Sequence, residues 1–219
     1  APYSWGCWIS YQSPSDQMIL WGRASSVNVQ KVLWALEERE LPYDHKIVGG
    51  IFGGNSDPEF TALTPVRRVP VLQDGDVTLW ESHAILRYLA MGLVSPIADM
   101  WMEFGSTTLQ PPFLGLFWQQ VRMRKTAQDK ATLTKHIKSL YAALRILETG
   151  LADGRTYLAG DDFSMADIAI GSLFHRIMDL HPTMLDTLPV VGEWHANIAV
   201  RAGYRKWVAT SFEELRVTE

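Results

Sequence analysis

The hydrophobic pattern of the chain changes character part-way along. Met18-Ile19-Leu20-Trp21 is a short apolar run closed by Gly22, which predicts a buried strand. The apolar positions Val29, Val32, Leu33 and Leu36 recur at spacings of three and four, so they predict one stripe of a helix from about Ser26 to Arg39. A second strand is expected within Leu41 to Val48, followed by the glycine-rich loop Gly49-Gly50-Ile51-Phe52-Gly53-Gly54. Asp57-Pro58-Glu59-Phe60 predicts a short helix with Asp57 as its cap and Pro58 at its first position. Val69 to Leu72 and Val77 to Trp80 read as strands joined across Asp74-Gly75, a hairpin signal, and Glu81 to Ala90 reads as a helix. The order β-α-β-α-β-β-α puts an antiparallel hairpin at the edge of a sheet whose earlier strands alternate with helices.

After Leu93 the strand signals stop. Residues 96–123 read as helical with a break at Pro111-Pro112, residues 129–152 as a long helix, and residues 164–180 as another, opened by the cap Ser164-Met165-Ala166-Asp167. Residues 188–200 and a shorter piece over 201–207 complete the run. The expected organisation is therefore a mixed α/β domain over 18–91 and an all-helical domain over 96–219. Residues 1–17 carry turn residues and no clean periodicity, and they lack the basic start and apolar run of a signal peptide. They read as a native extension or an expression remnant.

Composition narrows the function classes. A chain of 219 residues with a formal charge of −4 offers no basic excess for nucleic acid or an anionic membrane surface. No stretch approaches the ~20 apolar residues of a membrane span. Cys7 is the only cysteine, so an intramolecular disulfide and a cysteine-type zinc site are excluded, in keeping with a reducing, cytoplasmic compartment. The six histidines lack metal-ligand spacing, and no metal is expected. Nine tryptophans and eight methionines suit either a bulky core or an apolar ligand cleft.

Three local features carry candidate chemistry. In Gly22-Arg23-Ala24-Ser25-Ser26-Val27-Asn28 a strand ends in glycine and serines stand where a helix begins. Free N–H groups there favour a negative charge, and a hydroxyl can donate to an anion; the same serine can equally be a plain cap. In Thr64-Pro65-Val66-Arg67-Arg68-Val69-Pro70, Pro70 must sit at the edge or start of its strand. A cis Val69-Pro70 bond would turn the Val69 N–H and C=O outward, towards an extended peptide. In Trp80-Glu81-Ser82-His83 an acid and a hydroxyl occupy a strand-to-helix junction, where Ser82 could hold a carboxylate and Glu81 an ammonium group.

Together these features resemble the glutathione transferase family: the S-x-N-V-Q-K-V helix start, the P-x-x-x-V-P loop and the E-S-x-A-I-L-R-Y-L helix match closely over 18–90. Asp162-Phe163-Ser164-Met165-Ala166-Asp167-Ile168 resembles the family's folding cap. The Gly-Gly-x-Phe-Gly-Gly loop and Trp101-Met102-Glu103-Phe104 look like a microbial, theta-like branch. The resemblance implies a thioredoxin-like βαβαββα domain followed by an all-helical one, with glutathione as co-substrate. It implies Ser26 as the hydroxyl activating the glutathione thiol, with Ser25 as the near alternative and Asn28 beside them. Ser82 would take the γ-glutamyl carboxylate, Glu81 the ammonium, Val69 beside a cis Pro70 the cysteinyl backbone, and Arg68 or Arg67 the glycyl carboxylate. A small apolar electrophile would lie against the first long helix of the helical half, with Met102, Gly105, Thr108, Phe113 and Phe117 as wall residues. A homodimer is implied as well.

The chain departs from the family pattern in two places. The connection after Tyr88-Leu89-Ala90 is shorter by roughly ten residues, within the range of loop variation. Thr64 stands where asparagine is usual before Pro65. The same fold could also serve a glutathione-dependent disulfide reductase or peroxidase, in which Asn28 shares the thiolate contact, or a non-catalytic ligand-binding scaffold.

Overall fold

The computed structural model describes residues 18–93 and 95–217; the expectations for residues 1–17, Cys7 among them, lie outside the described residues. Strand β1 (Met18–Trp21) lies inside a sheet of order β2-β1-β3-β4. It pairs in parallel with β2 (Tyr43–Lys46) and antiparallel with β3 (Val71–Asp74), and β3 forms a hairpin with β4 (Val77–Trp80). Asp74 pairs with Val77, and Gly75 takes a φ of 57° in the turn between them, a conformation glycine adopts at no steric cost. Helix α1 (Val27–Glu38) connects the two parallel strands. Helix α2 (Pro58–Thr61) is a single turn, and α3 (Ser82–Leu89) follows the hairpin. Asp57 stands at the start of α2, but its carboxylate makes no capping bond. The turn is closed by the Thr61 N–H on the Asp57 carbonyl at 2.9 Å and by the Thr61 hydroxyl on the Pro58 carbonyl at 3.2 Å.

From Pro96 onward the regular elements of the described chain are helices joined by turns. Helix α4 (Pro96–Phe104) runs through a π-helical turn at Gly105–Leu109 into α5 (Gln110–Phe117) and a second such turn at Trp118–Arg122. The expected break at Pro111-Pro112 does not occur. The wider turn ends just before the prolines, which sit in the first turn of the next helical segment, and the helix continues through them. Helix α6 (Lys130–Gly150) is capped by Asp129, which accepts the Thr132 N–H at 2.7 Å.

The single helix expected over 164–180 is two: α7 (Met165–Gly171) and α8 (Phe174–Leu180). The Ser172 hydroxyl bonds back to the Ile168 carbonyl at 2.7 Å and helps end α7 there. The cap at Ser164 forms as expected. Asp167, fully buried, accepts the Ser164 N–H and hydroxyl at 2.8 Å each, the Leu158 N–H at 2.9 Å and the Trp194 indole N–H at 2.8 Å. Four donors thus satisfy a carboxylate that would otherwise be costly to bury. Helix α9 (Pro189–Ala199) and a π-helical turn at Tyr204–Val208 finish the packing.

One apolar core runs from the sheet into the helices. Its joint is Trp34 of α1, fully buried, with Tyr204 edge-on at 5.2 Å and Phe163 at 5.6 Å. The indole N–H donates to Glu38 at 2.9 Å, and Glu38 accepts two bonds from Arg201 at 2.9 and 2.6 Å. The ring needs glycine beside it: a Cβ on Gly203 would stand 2.3 Å from Trp34 Cδ1. Overpacking of this kind costs about 1–3 kcal/mol. Gly203→Ala is therefore expected to lower Tm by several degrees, at about 2–4 °C per kcal/mol for a chain of this size. An unchanged Tm would show that the indole is not tightly held.

Candidate active site

The site begins where β1 hands over to α1. Gly22 has a φ of 148°, and a Cβ there would meet Val29 Cγ2 at 2.5 Å and Val69 Cβ at 3.1 Å. Only glycine lets the end of β1, the first turn of α1 and the loop before β3 approach so closely. The Gly22 and Arg23 N–H groups bond to the Lys46 and Val48 carbonyls, both at 2.9 Å, which fixes the direction in which the chain enters the helix.

Ser26 occupies the position just before α1, with extended backbone at φ −83° and ψ 123°. Its side chain caps nothing, so both the hydroxyl and the first-turn N–H groups remain available. Ser25 is differently committed: its hydroxyl accepts from Arg23 Nη1 at 2.8 Å, and its carbonyl accepts from Arg176 Nη2 at 2.8 Å. Across from them the Val69-Pro70 bond is cis, and neither the N–H nor the C=O of Val69 is taken by another part of the described chain. The loop is shaped by Arg67 at φ 50°, whose carbonyl accepts from Asn55 at 3.0 Å. Thr64 serves where asparagine was the usual residue: its buried hydroxyl accepts the Val66 N–H at 3.3 Å.

Ser25, Ser26, Asn28, Arg68 and Val69 line one open cavity of about 550 Å³. A second depression of about 260 Å³ contains Glu81, Ser82, Lys31 and Gln110, and Asn28 borders both. Glu81 holds a φ of 71° before α3, a strained conformation for a residue with a side chain. Ser82 is only 6% exposed, yet its hydroxyl has no partner among the described residues.

Comparison with known proteins then decides the family. The model of the glutathione S-transferase N-terminal domain matches residues 16–91, and that of the C-terminal domain matches residues 130–209. A glutathione S-transferase, GstB, from Escherichia coli strain K12 is 35% identical, over 86% of this chain and 96% of that protein. The chain belongs to the glutathione S-transferase family. Glutathione S-transferase 4 of Zea mays is 31% identical over 85% of this chain and 90% of that protein. A crystal structure of the theta class enzyme from Xanthomonas axonopodis pv. citri, with glutathione bound, superposes with a TM-score of 0.82 at 35% identity, covering 91% of this chain and all of the other.

Within this glutathione S-transferase the residues expected to wall the second-substrate cleft separate. Phe117 lines the cavity. Met102 and Phe113 are fully buried in the core, Gly105 packs against Ile170, and Thr108 is exposed. Beside Phe117, the residues of this helical stretch that line the cavity are Leu114, Trp118 and Arg122, all after the first π-helical turn, which rotates the helix face that follows it. The sequence reading also passed over Arg23 and Arg176. The available signal was Arg176 itself, a cation in the apolar run of α8.

Lys31 was likewise unassigned. It is 1% exposed, donates to Gln110 at 2.7 Å and lies 3.2 Å from His83 Nε2. Burial lowers its pKa to about 7, against the opposing pull of Glu81. Burial, then the charges of Lys31 and Arg87, lower His83 to about 3, so the imidazole is neutral and accepts. The unfolded chain thus binds the Lys31 proton up to about 10.5 and the folded chain only up to about 7. In that window the unfolded state carries more protons, so stability from this group rises with pH and is lost as pH falls towards 7. The Tm of Lys31→Met minus that of the parent should therefore decrease between pH 7 and pH 9.5. A difference independent of pH would contradict the buried, proton-shedding lysine.

Proposed function

We propose that Ser26 holds the glutathione thiolate while the enzyme conjugates glutathione to small electrophiles. The observation that carries this reading is the uncommitted Ser26 hydroxyl at the start of α1, in the same cavity as the unpaired backbone of Val69. A free thiol with a pKa near 8.5 is only ~3% ionised at pH 7. A hydrogen bond from Ser26, the first-turn N–H groups and the arginines around the cavity all favour the anion. A downward shift of about 2 units, worth about 2.7 kcal/mol, leaves most of the thiol ionised at neutral pH. The sulfur then attacks the electrophilic carbon; Ser26 donates a hydrogen bond and is not itself the nucleophile.

The rest of the tripeptide follows the two depressions. The cysteinyl backbone pairs with Val69, and the glycyl carboxylate meets the exposed Arg68 or Arg67. Asn28 separates the thiol from the γ-glutamyl end, whose carboxylate goes to the Ser82 hydroxyl and N–H and whose ammonium faces Glu81. Residues 18–91 form the glutathione-binding domain and 96–219 the helical domain. A homodimer is part of the proposal, supported by the exposed apolar side chains Leu93, Ile97 and Met100 on the linker and α4. The reducing conditions that glutathione needs point to the cytoplasm.

Ser26→Ala is expected to reduce kcat/KM for an aryl halide by roughly 10²-fold, the scale of losing one donor to a developing anion. Ser25→Ala, already bonded to Arg23, should cost much less. Equal losses, or full activity in Ser26→Ala, would remove Ser26 from its role. Reduction of a mixed disulfide in preference to conjugation would favour the reductase chemistry of the same fold.

A further inference from the structure

Five arginines line the larger cavity: Arg23, Arg67, Arg68, Arg122 and Arg176. Among the described residues no acidic side chain lines it. Glutathione, bound as proposed, brings two negative charges to this space, its thiolate and its glycyl carboxylate, and the exposed Arg67 and Arg68 stand at the rim where that carboxylate would lie. Arg23, Arg122 and Arg176 remain, on the side of the cavity formed with the helical half.

These three are held in place by neutral groups. Arg176 is 4% exposed and donates to the Ser25 carbonyl at 2.8 Å and to Gln30 Oε1 at 3.3 Å. Its guanidinium lies over Phe117 at 5.2 Å and Phe212 at 5.5 Å. Arg23 donates to the Ser25 hydroxyl and packs against Gly50, where a Cβ would come within 2.6 Å of its Nε. Arg122 donates to the Leu215 carbonyl at 3.3 Å and stacks 5.8 Å from the Trp118 ring. None of the three makes an ion pair among the described residues, and the buried Nε atoms of Arg23 and Arg176 have no hydrogen-bond partner. Burial and mutual repulsion lower the pKa of Arg176 to about 10, opposed by the exposed Glu214; burial and Arg122 act on Arg23 in the same direction. Three like charges kept together with only the exposed Glu214 to oppose them, and with no ion-pair contact, are costly. Guanidinium groups that line a ligand cavity without a paired acid are a site for an anion.

We propose that the co-substrate conjugated in this cavity is an electrophile bearing a carboxylate or a similar anionic group. The proposal rests on the conjugation reading above. The anionic group meets Arg23, Arg122 and Arg176, and the apolar body of the co-substrate lies against Leu114, Phe117 and Trp118. That arrangement turns its electrophilic carbon towards the sulfur at Ser26. With a halogenated aromatic acid, the thiol proton leaves to solvent and the thiolate lone pair forms the carbon–sulfur bond. The carbon–halogen bond then breaks, and the halide departs with its electron pair.

The test compares 4-chloro-3-nitrobenzoate with its neutral amide, each rate divided by its uncatalysed rate with glutathione. The corrected kcat/KM should favour the benzoate by about tenfold or more, the size of one charge-assisted hydrogen bond. The preference should shrink with added salt and fall towards unity in Arg122→Gln and Arg23→Gln. Both are accessible enough to tolerate the change, and the ratio is insensitive to a general loss of active protein. An amide conjugated as well as the benzoate, or a preference intact in both variants, overturns the proposal while leaving conjugation in place. Arginines that served only the thiolate would depress both rates equally and give that second result. Failure to conjugate either probe, with no binding of glutathione, overturns the conjugation reading and this proposal with it.

Discussion

The burial of one indole sets the position of the whole site. Trp34 lies two turns into α1 and is enclosed by Tyr204, Phe163, Gly171 and Gly203 of the helical half. Because an α-helix is stiff over this length, locking its middle also locks its first turn. Gly22 then closes the other end, drawing Val69 against α1 at a distance no other residue allows. The serine at the helix start and the cis-proline loop therefore meet across one cavity, although they lie more than forty residues apart in the chain.

Electrostatics gives that geometry its chemistry. The net charge of the chain is negative, yet among the described residues the cavity is lined by five arginines and no acid. Local charge and overall charge point in opposite directions, and the local term acts on a bound sulfur, because burial limits screening by solvent. Arg176 links the two roles: it ties α8 to the Ser25 carbonyl and contributes its charge to the same space. The depression beside Ser82 has a different character, with a neutral His83 and a lysine that burial pushes towards its neutral form.

Most of the fold was legible because it rests on local rules. A short apolar run ended by glycine marked β1, the stripe at spacings of three and four marked α1, the Asp74-Gly75 turn marked the hairpin, and Ser164 with Asp167 announced the cap of α7. The three candidate features could be read because each sits at a strand end or helix start, where a short motif fixes the backbone. Which helical residues face the cavity could not be read that way. A π-helical turn has no strong sequence signature, and each one shifts the face of every residue after it. Phe113, which follows the first turn, therefore went to the core, while Trp118 and Arg122 reached the cavity; Met102 precedes both turns and is buried on the core face of α4. The arginine cluster was hidden for another reason: its members come from the β1–α1 loop, from the turn after α5 and from α8, and only the tertiary fold brings them together.

The most direct measurement is a pH titration of the ultraviolet absorbance of the thiolate of glutathione bound to the intact enzyme. Anion stabilisation at the start of α1 predicts an apparent thiol pKa about 2 units below the free value of about 8.5. A bound thiol that still ionises near 8.5 would contradict it.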